Sequence, residues 1–135
     1  MNSSDLKKNN LIWYTFSLKN KENILERSTL DIGVYIIRTD KSFGRLKGSS
    51  DILYIGKTNA KGGFKTRMKQ YFNPGPSQLT NIRIKNFLSN NRVFMEISFL
   101  KNNDPESLER DLLKKYVEEH LELPPFNRNS TRFEI

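Results

Sequence analysis

Hydrophobic positions change period several times between Gly33 and Asn127, and each change marks an element. Gly33 to Thr39 is dense in β-branched and aromatic residues, the composition of a buried strand. Side chains alternate along a strand, so Tyr35 and Ile37 are expected on one face and Val34 and Ile36 on the other. Ile52 to Lys57 repeats the pattern, and the two runs predict an antiparallel hairpin. Between them Asp40 to Asp51, rich in Gly, Ser and Lys, reads as a loop. Beyond the break at Lys61-Gly62-Gly63 the period becomes helical from about Phe64 to Phe72. Phe64, Met68, Tyr71 and Phe72 share one face there, with Arg67 at its edge beside Tyr71. Asn73-Pro74-Gly75-Pro76 stops that helix.

A second helix is predicted from Gln78 to about Ser89, with Leu79, Ile82, Phe87 and Leu88 as its apolar positions. Asn90-Asn91 then turns the chain into a third strand, Val93 to Leu100. Asp104 followed by Pro105 is an N-cap pattern opening a helix that runs to about His120. The paired prolines of Leu123-Pro124-Pro125-Phe126-Asn127 forbid helix. Upstream, Leu11 to Phe16 reads as a short strand or an apolar clip, and Ser17 to Arg27 shows a weak helical pattern through Ile24 and Leu25. The order of strand pair, two helices, strand and helix predicts one small α/β (α+β) sandwich.

Length agrees with one domain, since 135 residues can bury a modest core. Charge then narrows the partner. Lys and Arg total 23 against 15 Asp and Glu, a net +8, and such a surplus on a small domain points to a polyanion. With no cysteine there is no disulfide framework and no thiolate zinc site, and a single histidine excludes a zinc–histidine nuclease. The polar stretch Met1 to Asn10 lacks the apolar core of a signal peptide, and no run approaches the ~20 apolar residues of a membrane span. The expectation is a soluble, cytoplasmic protein with no membrane partner.

The sharpest chemical clue is Glu109. On a helical wheel it falls among Leu108, Leu112, Leu113, Tyr116 and Val117, while Arg110, Asp111, Lys114, Lys115 and Glu118 take the other side. A carboxylate facing a core is costly unless it is paired or bound to a metal. Two readings therefore stand: a metal or active-site ligand, or one half of a buried ion pair with Arg67 as an available partner. Arg67 itself is either a solvated charge or a group placed to stabilise charge on a phosphate. Tyr35 and Tyr54, taken singly, are core aromatics. Lys57 ends a strand beside glycine-rich chain, where a loop could bring backbone donors to a phosphate. The Gly-Lys-Thr triplet there lacks the earlier glycine of a P-loop. His120 sits roughly 16 Å along the helix from Glu109, too far to share a metal, and reads as a C-terminal residue meeting the helix dipole.

Taken together, these residues resemble the GIY-YIG nuclease superfamily over about Gly33 to Asn127. Gly33-Val34-Tyr35 and Leu53-Tyr54-Ile55-Gly56-Lys57 are similar to its two name motifs. Arg67 and Tyr71 fit its basic helix, Leu108-Glu109 with Tyr116 fits its metal-binding helix, and Pro125-Phe126-Asn127 is similar to its closing Asn motif. The resemblance implies a small central three-stranded sheet flanked by helices. It implies Mg²⁺ (or Mn²⁺) held by the single carboxylate Glu109, water activated by a tyrosine near Lys57, Arg67 stabilising the pentavalent phosphorus, and Asn127 supporting the site. It leaves open whether Tyr35 or Tyr54 is the base. By the same resemblance residues 33–128 form the nuclease domain, 129–135 a C-terminal tail, and 1–32 an extension for dimerisation, target recognition or packing.

The function expected is metal-dependent hydrolysis of DNA, restriction-type or mobile-element associated, with RNA left open as the substrate. The alternative is a catalytically silent nucleic-acid-binding domain of the same fold. Lys41, Arg45 and Lys47 of the long loop, with Lys61, Lys65 and Lys69 of the basic helix, are the expected nucleic-acid contacts. A sequence-specific enzyme of this size would act as a homodimer on a palindromic site.

Overall fold

The computed structural model describes residues 1–89 and 93–127. The expected Asn90-Asn91 turn, Arg128 and the tail 129–135 lie outside them. The chain folds as a mixed α/β domain around four antiparallel strands: β1 (Tyr14–Thr15), β2 (Gly33–Gly44), β3 (Ser49–Thr58) and β4 (Met95–Lys101), in the order β1-β4-β2-β3. Four α-helices accompany them: α1 (Lys21–Arg27), α2 (Gly63–Phe72), α3 (Leu79–Leu88) and α4 (Pro105–His120). Among the described residues no helix is long and apolar enough to cross a membrane.

The sheet has four strands rather than three because Tyr14 pairs with Ile97 and Thr15 with Glu96, which places β1 on the outer edge of β4. Two residues of strand leave too little periodicity to separate from an apolar clip.

Both faces of the sheet are covered, which is why β2 reads as a continuous apolar run although its neighbours are antiparallel. Tyr35 and Ile37 join Phe64, Met68, Tyr71 and Phe72 of α2 in one core, together with Ile84 and Leu88 of α3 and Phe16 and Ile24 from upstream. Val34 and Ile36 join Ile52, Ile55, Leu113 and Tyr116 in the other, closed by Met1 and Leu6. Residues 1–32 thus pack into both cores. On α3 the expected face is only partly kept: Leu88 is buried, but Leu79 is 66% exposed and Ile84, two residues beyond the expected Ile82, is buried.

The expected loop Asp40–Asp51 is mostly strand. β2 and β3 stay paired out to Gly44 opposite Ser49, with register shifts on either side of Arg38, so the turn occupies only 45–48. Tertiary contacts hold this arm where local propensity does not. Phe43 packs on the first core. Arg45 Nη2 pairs with Glu122 at 2.9 Å and donates to the Leu123 carbonyl at 2.7 Å. His120 Nδ1 lies 2.9 Å from the Lys47 carbonyl.

That contact gives His120, the last residue of α4 as expected, a further structural part. Its ring is buried against Tyr116, with centroids 4.5 Å apart, and its Nε2 meets the Met1 amine, so it ties the hairpin and the first residue to the end of α4. At the other end of α4, Asp104 caps the helix by accepting from the Ser107 N–H at 3.3 Å, with Pro105 in the first turn.

Candidate active site at the free edge of β3

Three tyrosines meet where β2, β3 and α2 converge. Tyr35 and Tyr71 share a hydrogen bond between their hydroxyls at 2.5 Å, and the Tyr35 and Tyr54 rings lie 5.9 Å apart. A register shift between Ile37 and Arg38 sets this arrangement. Ile37 stands opposite Tyr54 but Arg38 stands opposite Ile52, leaving Leu53 as an extra residue. Leu53 and Tyr54 therefore both belong to the first core, while Ile52 and Ile55 point into the second. Bulges of this kind re-aim side chains next to functional sites.

Two motif glycines are required by close approach. A Cβ on Gly56 would stand 2.5 Å from Tyr35 Cζ and 2.5 Å from Tyr54 Cε2, so only glycine lets the two rings meet over β3. A Cβ on Gly33 would stand 2.1 Å from the Leu100 carbonyl oxygen, which keeps β2 against β4.

Burial dominates the acidity of the three phenols. It pushes Tyr35 and Tyr71 well above the usual tyrosine range and Tyr54 less far. On Tyr54 the charge of Glu109 pushes up as well, while hydrogen bonding from Tyr71 and Tyr35 and the Arg67 guanidinium pull down. Tyr35 is 2% exposed, whereas Tyr54 is half-buried and reaches the surface. Tyr54 is thus the least buried of the three phenols.

Arg67 sits at the edge of the buried face of α2, as its spacing predicts. Its Nη1 donates to Gln70 Oε1 at 3.2 Å, and its Nε is buried with no hydrogen-bond acceptor among the described residues. Gln70 is a site neighbour the sequence reading passed over; its signal is the i,i+3 spacing from Arg67.

Glu109 is buried to 5% exposure on the inward side of α4, close enough to Tyr54 for its charge to act on that hydroxyl. One turn earlier the exposed Glu106 lies 3.7 Å from Lys57 Nζ, which holds Lys57 over the start of α4. Among the described residues no three His, Asp or Glu side chains gather into a metal cluster. The oxygen donors at this end are a single buried carboxylate, the exposed Glu106 and the phenols.

Asn127 reaches the site through backbone. Its Nδ2 donates to the Ile55 carbonyl at 2.8 Å and its Oδ1 accepts from the Ile55 N–H at 3.0 Å, while the Phe126 N–H donates to Leu53 O at 3.0 Å. The closing motif therefore caps the free edge of β3 beneath Tyr54.

The expected nucleic-acid contacts divide. Lys61 and Lys69 are exposed around α2. Lys65 Nζ is spent on the Leu25 carbonyl at 2.7 Å. Lys41 and Lys47 are exposed on the hairpin arm, but Arg45 is committed to Glu122 and Leu123. That arm meets the His120 end of α4, opposite the Glu109 end. After the glycine-rich turn, the amides of Gly63, Phe64, Lys65 and Thr66 are already committed, donating to Ala60, Asp31, Thr29 and Gly62.

Fold and site together define a mixed α/β domain with a tyrosine–arginine–glutamate cluster at a sheet edge. Neither models of known protein families, nor curated proteins, nor solved structures give a match to the chain.

Proposed function

We propose that the chain is a metal-dependent endonuclease of the GIY-YIG kind, cutting DNA by hydrolysis of a phosphodiester bond. The observation that carries this reading is convergence. Tyr54, Arg67 and Glu109 come from three separate elements, yet both charges act on the Tyr54 hydroxyl. Buried charge is costly, so a core gathers such groups only where they pair with one another or serve a ligand, and the motif resemblance favours the second. The motif resemblance over Gly33 to Asn127 supplies the chemistry that such a cluster performs.

In this reading Tyr54, not Tyr35, is the base. Its ring lies 5.9 Å from that of Tyr35, it is the least buried of the three phenols, and its Oη takes a proton from an attacking water. The water oxygen forms a new bond to phosphorus as the bond to the leaving oxygen breaks. Arg67 and Lys57 sit beside the reacting group and stabilise the negative charge that builds on the phosphoryl oxygens. Tyr71 and Asn127 are positioning residues: Tyr71 holds the phenol pair, and Asn127 holds the β3 backbone.

The donor set fits a hard divalent cation, which prefers oxygen ligands and keeps several waters. Glu109 would hold it, and when bound such an ion offsets charge on the leaving oxygen and helps to ionise a nearby hydroxyl.

The test is cleavage of supercoiled plasmid and of mixed-sequence linear DNA with Mg²⁺, Mn²⁺ or EDTA. Metal-dependent cutting that disappears in Glu109→Gln is the expected result. Tight binding without cutting in either metal would reject the nuclease reading in favour of a silent binding domain.

A further inference from the structure

The whole charge surplus of this chain sits in one stretch. Residues 52–95 contain eight Lys and Arg and no Asp or Glu, so the other 15 basic residues balance the 15 acidic ones. This stretch supplies most of β3, all of α2 and α3, and the site edge.

Within it, α2 carries a strip that leads away from the site. At about 100° per residue, Gln70, Arg67 and Tyr71 follow Lys69 round the helix at about 100°, 160° and 200°. The hydrogen bond from Arg67 Nη1 to Gln70 Oε1 makes the strip continuous. It ends in a groove of about 420 Å³ between α1 and α2. The floor is Leu25 and Phe72, and the rim is Lys21, Lys69, Thr66 and Asn73, with Gln70 at the side facing Arg67.

Among the described residues no carboxylate lines this groove. Glu22 and Glu26 of α1 stand about 100° and 140° round that helix from Lys21, whereas Leu25 is only about 40° away. The Lys21 ammonium lies 5.9 Å from the centre of the Phe72 ring, which holds the charge at the rim. Two cations with amide and hydroxyl donors above an apolar floor suit a sugar–phosphate chain: phosphates on the rim and sugars over Leu25 and the exposed edge of Phe72.

We propose that the α1–α2 groove is a subsite for the nucleic-acid strand flanking the scissile phosphate, with Lys21 and Lys69 each contacting a backbone phosphate. This rests on the nuclease reading and extends it to a contact from α1, in the segment before the motif region.

The test measures DNA affinity against salt concentration for the full chain in a Glu109→Gln background. Each phosphate contact contributes about 0.9 to the slope of log K against log salt. Lys21→Ala with Lys69→Ala is expected to lower the slope by about 1.8, and Lys21→Arg with Lys69→Arg to restore it. Lys114→Ala with Lys115→Ala, on the exposed side of α4, removes the same charge elsewhere. An unchanged slope in the groove variant, or an equal loss in the α4 variant, would overturn the subsite. Cleavage by the unmodified chain is scored in parallel. Cutting without a groove effect removes the subsite alone, and a groove effect without cutting removes the nuclease reading and with it the scissile phosphate, leaving the groove as a nucleic-acid-binding surface.

Discussion

The side-chain amide of Asn127 pairs with both backbone groups of Ile55, so one residue of the closing segment stands in for a missing neighbour strand along β3. β3 is the edge of the sheet, so among the described residues it is Asn127 that caps those groups, and the adjoining residue, Tyr54, depends on the same backbone. Asn127→Ala removes two hydrogen bonds at once. It is expected to destabilise the fold by about 1–3 kcal/mol and to lower the cleavage rate in proportion to lost Tyr54 positioning. Urea unfolding and single-turnover cleavage check the two effects; full stability with normal cleavage would mean that the edge needs no cap.

Tyr54→Phe and Tyr35→Phe separate base from support. Removing the Tyr54 hydroxyl is expected to cost about 10²–10⁴ in cleavage rate and to abolish the rise of rate with pH. Removing the Tyr35 hydroxyl leaves that rise in place with a smaller loss. Burial raises Tyr54, so the rate climbs towards alkaline pH as its phenolate forms. A pH–rate profile unchanged in Tyr54→Phe would assign the base elsewhere.

Glu109→Gln keeps the volume of the side chain and removes its charge. Metal-dependent cleavage should fall by at least about 10²-fold while DNA binding persists, since the carboxylate serves the reaction rather than the grip on DNA. Calorimetric titration with Mn²⁺ gives a readout independent of cleavage: binding is expected in the parent chain and lost in the variant.

Gly56→Ala probes packing over β3. The added methyl would meet both tyrosine rings at 2.5 Å, so a loss of about 1–3 kcal/mol is expected together with loss of cleavage. A variant as stable as the parent would show that the rings can part.

Alkaline stability follows from the buried phenols. Tyr35 and Tyr71 are raised in the folded chain above the value of about 10 that they take when unfolded. Above that pH the unfolded chain gives up protons that the folded chain keeps, so stability is intact below about pH 10 and falls as pH climbs further. Tyr35→Phe should flatten the fall. Urea midpoints compared between pH 9 and 11 would contradict this if they did not move.

Local chemistry settles much of the molecule. The β-branched run of β2, the wheel of α2, and Asp104 with Pro105 at the head of α4 are each decided within one element, so sequence alone places them. Alternation likewise assigned Tyr35 and Ile37 to one core and Val34 and Ile36 to the other. The inward position of Glu109 followed from helical geometry.

What sequence leaves undecided depends on contacts between elements. Two residues of β1 become a strand only because β4 offers an edge. Residues 40–51 become a hairpin arm because Glu122, Leu123 and His120 hold it from the far end of α4. The bulge at Leu53 follows from pairing with β2, and with it the aim of Tyr54. Which tyrosine meets solvent was open in the sequence, because exposure belongs to the packed chain and not to the residue.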